Sequence, residues 1–153
     1  MKPDALNHII AAAMTLLPAS WDTPEARRML RAIAYQETDL KARRQHGNGP
    51  ARSYWQFELG GGCRGVLTHV AVRDEMRGAL VALDCPGAAS PEDLWRLIEH
   101  NDVLAAAAAR CLLYTLPHPM ATTQDDGWQQ YIEAWRPGKP HPEKWADAWE
   151  RAA

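Results

Sequence analysis

The segment "RRMLRAIAYQETDLKARR", Arg27 to Arg44, decides how the chain is read. With Ala26 just before it, Met29, Leu30, Ile33 and Leu40 form one apolar stripe at the i, i+3, i+4, i+7 spacing of an α-helix. Arg28, Arg31, Asp39 and Lys41 supply a solvated face elsewhere. Glu37 falls on the apolar stripe, four residues after Ile33 and seven after Leu30. A charged group there is costly unless something uses or satisfies it. Either Glu37 sits at the edge of the stripe, near the helix end, and reaches water, or it is kept for its chemistry.

Working outward, the other signals are helical as well. Thr23-Pro24-Glu25, Ser90-Pro91-Glu92 and the variant His141-Pro142-Glu143 each combine a capping position, a proline at the first helical position and an acidic first turn ahead of apolar spacing. Helices are predicted over 4–17, 24–40, 66–83, 91–98, 102–115, 122–135 and 142–151, which makes the chain mostly α. The alanine run Ala105–Ala109 favours helix and predicts close helix packing. At the amino terminus, Leu6, Ile9, Ile10, Ala13, Met14 and Leu17 form a helical stripe interrupted by Asp4, Asn7, His8 and Thr15. That pattern reads as the first helix of the domain rather than a signal peptide.

With 153 residues, 46% hydrophobic and 24% charged, the chain suits one domain spanning 1–153. The net charge of −2 argues against a partner held mainly through phosphates. Lys41, Arg43, Arg44 and Arg52 could still form a local basic patch, so a nucleic-acid-binding helix pair stays as a minor alternative. Cys63, Cys85 and Cys111 are odd in number and lack a CxxC pair, which suggests reduced, buried thiols rather than a disulfide framework or zinc site. The six histidines have no metal-ligand spacing. No stretch approaches the roughly 20 apolar residues of a membrane span, so stable membrane insertion is not expected.

The segment "QHGNGPARSYWQFELGGGCRG", Gln45 to Gly65, is the exception to the helical pattern. A long loop of this kind in a small domain is usually functional. Its glycines fit neither GxGxxG after a strand nor GxxxxGK[ST], so nucleotide binding is not expected. They are expected instead to let the backbone turn sharply and approach something extended. At the centre, Tyr54, Trp55, Gln56 and Glu58 place flat rings beside an amide and a carboxylate, a composition suited to sugars. Of the seven tryptophans, Trp95, Trp128, Trp145 and Trp149 read as core or capping residues, while Trp55 could line a site or plug the core.

Two segments together resemble the lysozyme-like superfamily, in particular lytic transglycosylases and goose-type lysozymes. The family pattern has a catalytic glutamate in "A.I.QES.F", followed about fifteen residues on by "A.GLMQ"; here the matching stretches are "AIAYQETDL" and "ARSYWQFE". Glu37 falls on the catalytic glutamate, flanked by Gln36 and Thr38, and Ala51 and Gln56 fall on the ends of the second motif. A weaker echo is "NDVLAAAAARCLLY", which is similar to the family's "NI..G..YL" helix through Asn101. Ser53 stands where the family has glycine and Tyr54-Trp55 where it has Leu-Met. The "AYNAG" segment has only a distorted counterpart in "YIEAWRPG", where Tyr131 or Trp135 could take the aromatic place. The GGG run has no counterpart, and in this the chain resembles phage cell-wall hydrolases.

The resemblance implies a lysozyme-like single domain with a long Gly/aromatic loop beside the catalytic helix. It implies cleavage of peptidoglycan glycan strands between N-acetylmuramic acid and N-acetylglucosamine, without metal or cofactor. Glu37 would be the general acid, and Gln56, Tyr54, Ser53, Glu58 and Tyr131 would bind substrate. A carboxyl on an apolar stripe loses hydration and its pKa rises, which suits that role. Glu58 is either the base for water in a hydrolase or a loop brace paired with Arg52 or Arg64. Such a protein would be a monomeric endolysin or virion component, made in a host cytoplasm without a clear signal peptide and acting on the periplasmic wall. The alternative is a non-catalytic structural or adaptor protein of a phage on the same scaffold, which would show Glu37 facing an arginine or bulk water with no groove beside it.

Overall fold

Helix α6 (Asp102–Tyr114) is the axis around which the chain is wound. Its alanine run is buried on every side. The helices α1 (Pro3–Met14), α2 (Pro24–Thr38), α4 (Arg73–Ala82), α5 (Pro91–Ile98) and α7 (Gln124–Trp135) all pack against it. Methyl side chains are short enough to let all of these neighbours approach, as the run predicts. The computed structural model describes residues 1–87 and 90–153. Among these residues the regular structure is helical, with no strand and only two isolated bridges, Arg44 with Arg52 and Arg52 with Phe57. The chain is therefore mostly α.

Two of the three capping signals, at Thr23 and Ser90, act as expected. The hydroxyls of Thr23 and Ser90 accept from the backbone N–H groups of Ala26 and Asp93, and the Thr123 hydroxyl and the Asn101 side-chain carbonyl accept likewise at the starts of α7 and α6. Each satisfies an amide that a helix start otherwise leaves without a partner. In α1, Leu6, Ile10, Ala13 and Met14 are buried, so the amphipathic amino-terminal stretch is part of the core.

Three expectations need correction. The single helix predicted over 66–83 is two, α3 (Arg64–Thr68) and α4, because His69 turns extended (ψ 127°). Before Pro142, His141 is left-handed and makes no cap bond; it opens a 3-10 turn, Pro142–Lys144, and α8 follows at Trp145–Arg151. Arg28 and Arg31 are not on a solvated face. They lie half-buried beneath α8, where the Arg28 guanidinium stacks 4.1 Å over the Trp149 ring and Arg31 Nε donates to the Ala152 carbonyl at 2.9 Å. Long cationic side chains can bury their stems in this way while the head finds a ring or a carbonyl. α2 is consequently enclosed on nearly every side except at its carboxyl end, which Asp39 and Leu40 terminate with positive φ of 49° and 58°.

Trp145 and Trp149 are buried and Trp95 and Trp128 pack against the core, as expected of them. Cys63 and Cys111 are buried thiols pushed up to about 12 by desolvation, Cys85 is partly exposed, and no cysteine among the described residues is bridged.

Candidate active site

The carboxyl end of α2 opens onto a cleft of about 1610 Å³. Its walls come from the end of α2, the loop 41–62, the end of α7 and the segment 136–144 before α8. A small-molecule pocket is about 300–1,000 Å³, so this cleft has room for an extended ligand.

The loop reaches the site because it is tied down residue by residue. Arg52 and Phe57 exchange both backbone hydrogen bonds, at 2.9 and 2.7 Å, and the intervening turn uses left-handed φ at Ser53 (69°) and Gln56 (52°). Trp55 is fully buried, and its indole N–H donates to the Leu30 carbonyl of α2 at 2.9 Å. Of its two open roles, Trp55 takes that of core plug. Thr38 Oγ1 donates to the Tyr54 carbonyl at 3.1 Å, so the loop folds back over the end of α2. From α7, Trp135 Nε1 donates to the Trp55 carbonyl at 2.7 Å.

The GGG run departs from its expected role. Leu59–Cys63 is a wide helical turn, with the Cys63 amide bonded to the Glu58 carbonyl, leading directly into α3. None of the three glycines has positive φ. Gly62 packs closely, since a Cβ there would lie 3.0 Å from the Phe57 ring, and Gly60 and Gly61 present bare backbone to the cleft.

Glu37 is half-buried at the cleft floor, and the Tyr131 hydroxyl donates to its Oε1 at 2.6 Å. Desolvation pushes the Glu37 carboxyl up to about 7 from its ordinary 4.5. The Tyr131 hydrogen bond and the nearby Lys144 ammonium pull it down in part, and the charge of Glu58 adds to the rise. Burial, together with the adjacent Glu37, holds the Tyr131 phenol far above its usual range, so it stays a donor. Its ring lies 5.4 Å from that of Trp145 at an interplanar angle of 11°, which fixes where the hydroxyl points.

Of the residues the sequence nominates, Glu37, Gln56, Glu58 and Tyr131 line one cleft. Ser53 and Tyr54 do not. Ser53 is buried, with its hydroxyl accepting from the Trp55 amide. Tyr54 is buried beneath the Arg43 guanidinium, 4.7 Å from its ring. Both face away because the left-handed turn at Ser53 directs this part of the loop into the core. Gln56 Nε2 donates to the Ser53 carbonyl at 2.8 Å. The choice between Tyr131 and Trp135 resolves into two roles, Tyr131 on Glu37 and Trp135 on the cleft wall.

Glu58 is exposed and pairs with neither expected arginine. Arg52 goes to Glu99 at 3.2 Å and to the Gly49 carbonyl at 2.6 Å. The basic patch is neutralised in the same way: Lys41 pairs with Asp39, Arg43 with Asp102, and Arg44 and Arg52 with Glu99. Among the described residues no group of three or more His, Cys, Asp or Glu could hold a metal ion. No helix of the described residues is long and apolar enough to cross a membrane.

No family model, curated protein or solved structure matches this chain. The site therefore rests on its own geometry. Sequence reasoning missed Lys144, which lies more than a hundred residues from Glu37 and carries no local signal in "HPEK". It also missed the buried Gln36, whose Nε2 donates to the carbonyls of Pro140 (2.9 Å) and His141 (3.0 Å) and anchors the segment bearing Lys144.

Proposed function

We propose that the chain is a lysozyme-like glycosidase that cleaves the glycan strands of peptidoglycan between N-acetylmuramic acid and N-acetylglucosamine, with Glu37 as general acid. The observation that carries this reading is a single one. A desolvated carboxyl, pushed up to about 7 and held by a tyrosine, lies at the floor of a cleft large enough for a polymer. A carboxyl in this range is still substantially protonated at neutral pH and gives up its proton readily once charge develops on a leaving oxygen.

The Tyr131 hydroxyl occupies Glu37 Oε1, which leaves Oε2 to carry the proton. Transfer of that proton to the glycosidic oxygen breaks the bond to muramic C1 and leaves an oxocarbenium-like centre. Glu37, now ionised, keeps the Tyr131 hydrogen bond, which strengthens on the anion. The centre is then captured by water or by the C6 hydroxyl of the same muramic residue. Glu58, on the same cleft and without an ion pair among the described residues, is the candidate base for water. With no acceptor but the C6 hydroxyl, the ionised Glu37 accepts the proton of that hydroxyl as its oxygen bonds to C1, and a 1,6-anhydro product forms. Gln56 and Trp135 line the cleft as an amide and an apolar ring face for the sugar.

Digestion of purified cell walls, with mass spectrometry of the products, tests the reading. Wild type should release muropeptides, and Glu37→Gln, which keeps the shape but has no transferable proton, should lose roughly 10²- to 10⁴-fold in rate while folding normally. A reducing terminus identifies water as acceptor and a 1,6-anhydro terminus identifies the C6 hydroxyl. Undiminished release by Glu37→Gln would remove the assignment.

A further inference from the structure

Two walls of the cleft are not held alike. The loop 41–62 is tied to the rest of the molecule at several points: Trp55 to Leu30, Thr38 to Tyr54, Trp135 to Trp55, and Arg44 and Arg52 to Glu99. Residues 137–141, on another wall, are tied by one side chain. Among the described residues, the hydrogen bonds that join this stretch to another element are the two from Gln36 Nε2, to the Pro140 carbonyl at 2.9 Å and the His141 carbonyl at 3.0 Å.

The His141 carbonyl has a second donor. The Lys144 backbone N–H reaches it at 3.1 Å, so one oxygen links the Gln36 amide to the turn that carries Lys144. His141 lies between Pro140 and Pro142 and is left-handed at φ 50°. A non-glycine residue in that region keeps its conformation only when its surroundings hold it there. Gln36 is itself 5% exposed and its Oε1 has no hydrogen-bond partner among the described residues, so the side chain is kept for its donor end.

Around Glu37, Tyr131 comes from α7, Glu58 from the loop and Lys144 from this turn. The other carboxylates of the cleft are engaged elsewhere: Asp39 with Lys41 and Arg151, Glu133 with His118, Glu143 with His141, and Asp147 with Arg151. We propose that Gln36 is a positioning residue for its neighbour Glu37, holding the segment 137–144 so that the Lys144 ammonium stays beside the carboxyl. It acts through the His141 carbonyl rather than on the substrate. Resting on the glycan reading above, the ammonium so placed steadies the Glu37 anion as the leaving oxygen takes its proton.

The test is a double-substitution cycle read on the Glu37 carboxyl by NMR titration, its signal assigned by its loss in Glu37→Gln. Lys144→Gln should raise the Glu37 midpoint in the otherwise wild-type protein, because a nearby ammonium favours the anion. Gln36→Met keeps the length of the side chain and removes the donor; in that background Lys144→Gln should leave the midpoint unchanged. Hydrogen exchange of the Lys144 amide, bonded to the same carbonyl, should become about tenfold faster in Gln36→Met. Thr38→Val, which removes a hydrogen bond to the loop instead, should leave the Lys144 effect in place. The proposal is overturned if the Lys144 effect persists in Gln36→Met, is absent from the wild-type background or is abolished equally by Thr38→Val, or if the Lys144 amide exchanges at its original rate. Gln36→Leu, with the same readings, replaces Gln36→Met if that protein does not fold. None of these readings needs turnover, and cell-wall digestion is assayed in parallel. A Lys144 effect that depends on Gln36 in a protein that digests nothing would remove the glycosidase and leave the positioning; digestion with the Lys144 effect intact in Gln36→Met would do the reverse.

Discussion

Three neighbours that the helix itself does not supply, Tyr131, Lys144 and Glu58, act on the Glu37 carboxyl. Desolvation raises its pKa, while Tyr131 and Lys144 limit the rise. If the glycosidase reading holds, Glu37 works as a general acid while protonated, so kcat/KM should fall about tenfold per pH unit above about 7. Tyr131→Phe removes a hydrogen bond that favours the ionised carboxyl, so the descending limb should move to higher pH. The maximal rate should fall as well, because the anion formed in the transition state loses its donor. A pH–rate profile of the two proteins checks this. A limb that stays in place, or moves down, would mean that Tyr131 does not act on Glu37.

Among the elements, α7 and α8 decide how well that tyrosine is held. Gly127 in α7 faces the rings of Trp149 and Trp145; a Cβ there would come within 2.6 Å of Trp149 Cζ3 and 3.2 Å of Trp145 Cζ2. Trp149 cannot yield easily, since Arg28 stacks on it, and Trp145 stacks on Tyr131. Gly127→Ala should therefore cost about 1–3 kcal/mol through overpacking, even though alanine is the better helix former. Thermal unfolding should show a Tm lower by about 2–4 °C per kcal/mol for a domain of this size. If the glycosidase reading holds, its rate should drop as well, because the displaced Trp145 shifts Tyr131. An unchanged or higher Tm would show that the two rings can move apart freely.

Over the whole molecule, the raised Glu37 pKa is a cost to stability with a definite sign. Below pH 4.5 the group is protonated both folded and unfolded. Between 4.5 and about 7 the unfolded chain releases the proton while the folded one retains it, so the folded state loses relative stability as pH rises through this window. The loss reaches up to about 3 kcal/mol, at about 1.36 kcal/mol per pKa unit. Glu37→Gln has no such slope. In urea unfolding it should match wild type near pH 4 and exceed it near pH 8. A wild-type advantage at pH 8 would mean that the buried carboxylate is stabilised by its surroundings rather than penalised.

The local signals in the chain were sufficient for most of the helices. Caps at Thr23 and Ser90, the stripe Ala26–Met29–Leu30–Ile33–Leu40 and the alanine run of α6 all act within a few residues, so a linear reading reaches them. Glu37 was legible for the same reason: a carboxyl on an apolar stripe conflicts with its own helix. Gln56, Glu58 and Tyr131 were nominated and do share a cleft, yet Ser53 and Tyr54, beside Gln56 in sequence, turn inward. That difference follows from left-handed backbone at Ser53, which no residue preference announces. The burial of Arg28 and Arg31 under α8 and the placing of Lys144 near Glu37 were not legible at all. Each depends on segments far apart in the chain meeting in space, and desolvation, stacking and ion pairing act through distance in three dimensions rather than along the sequence.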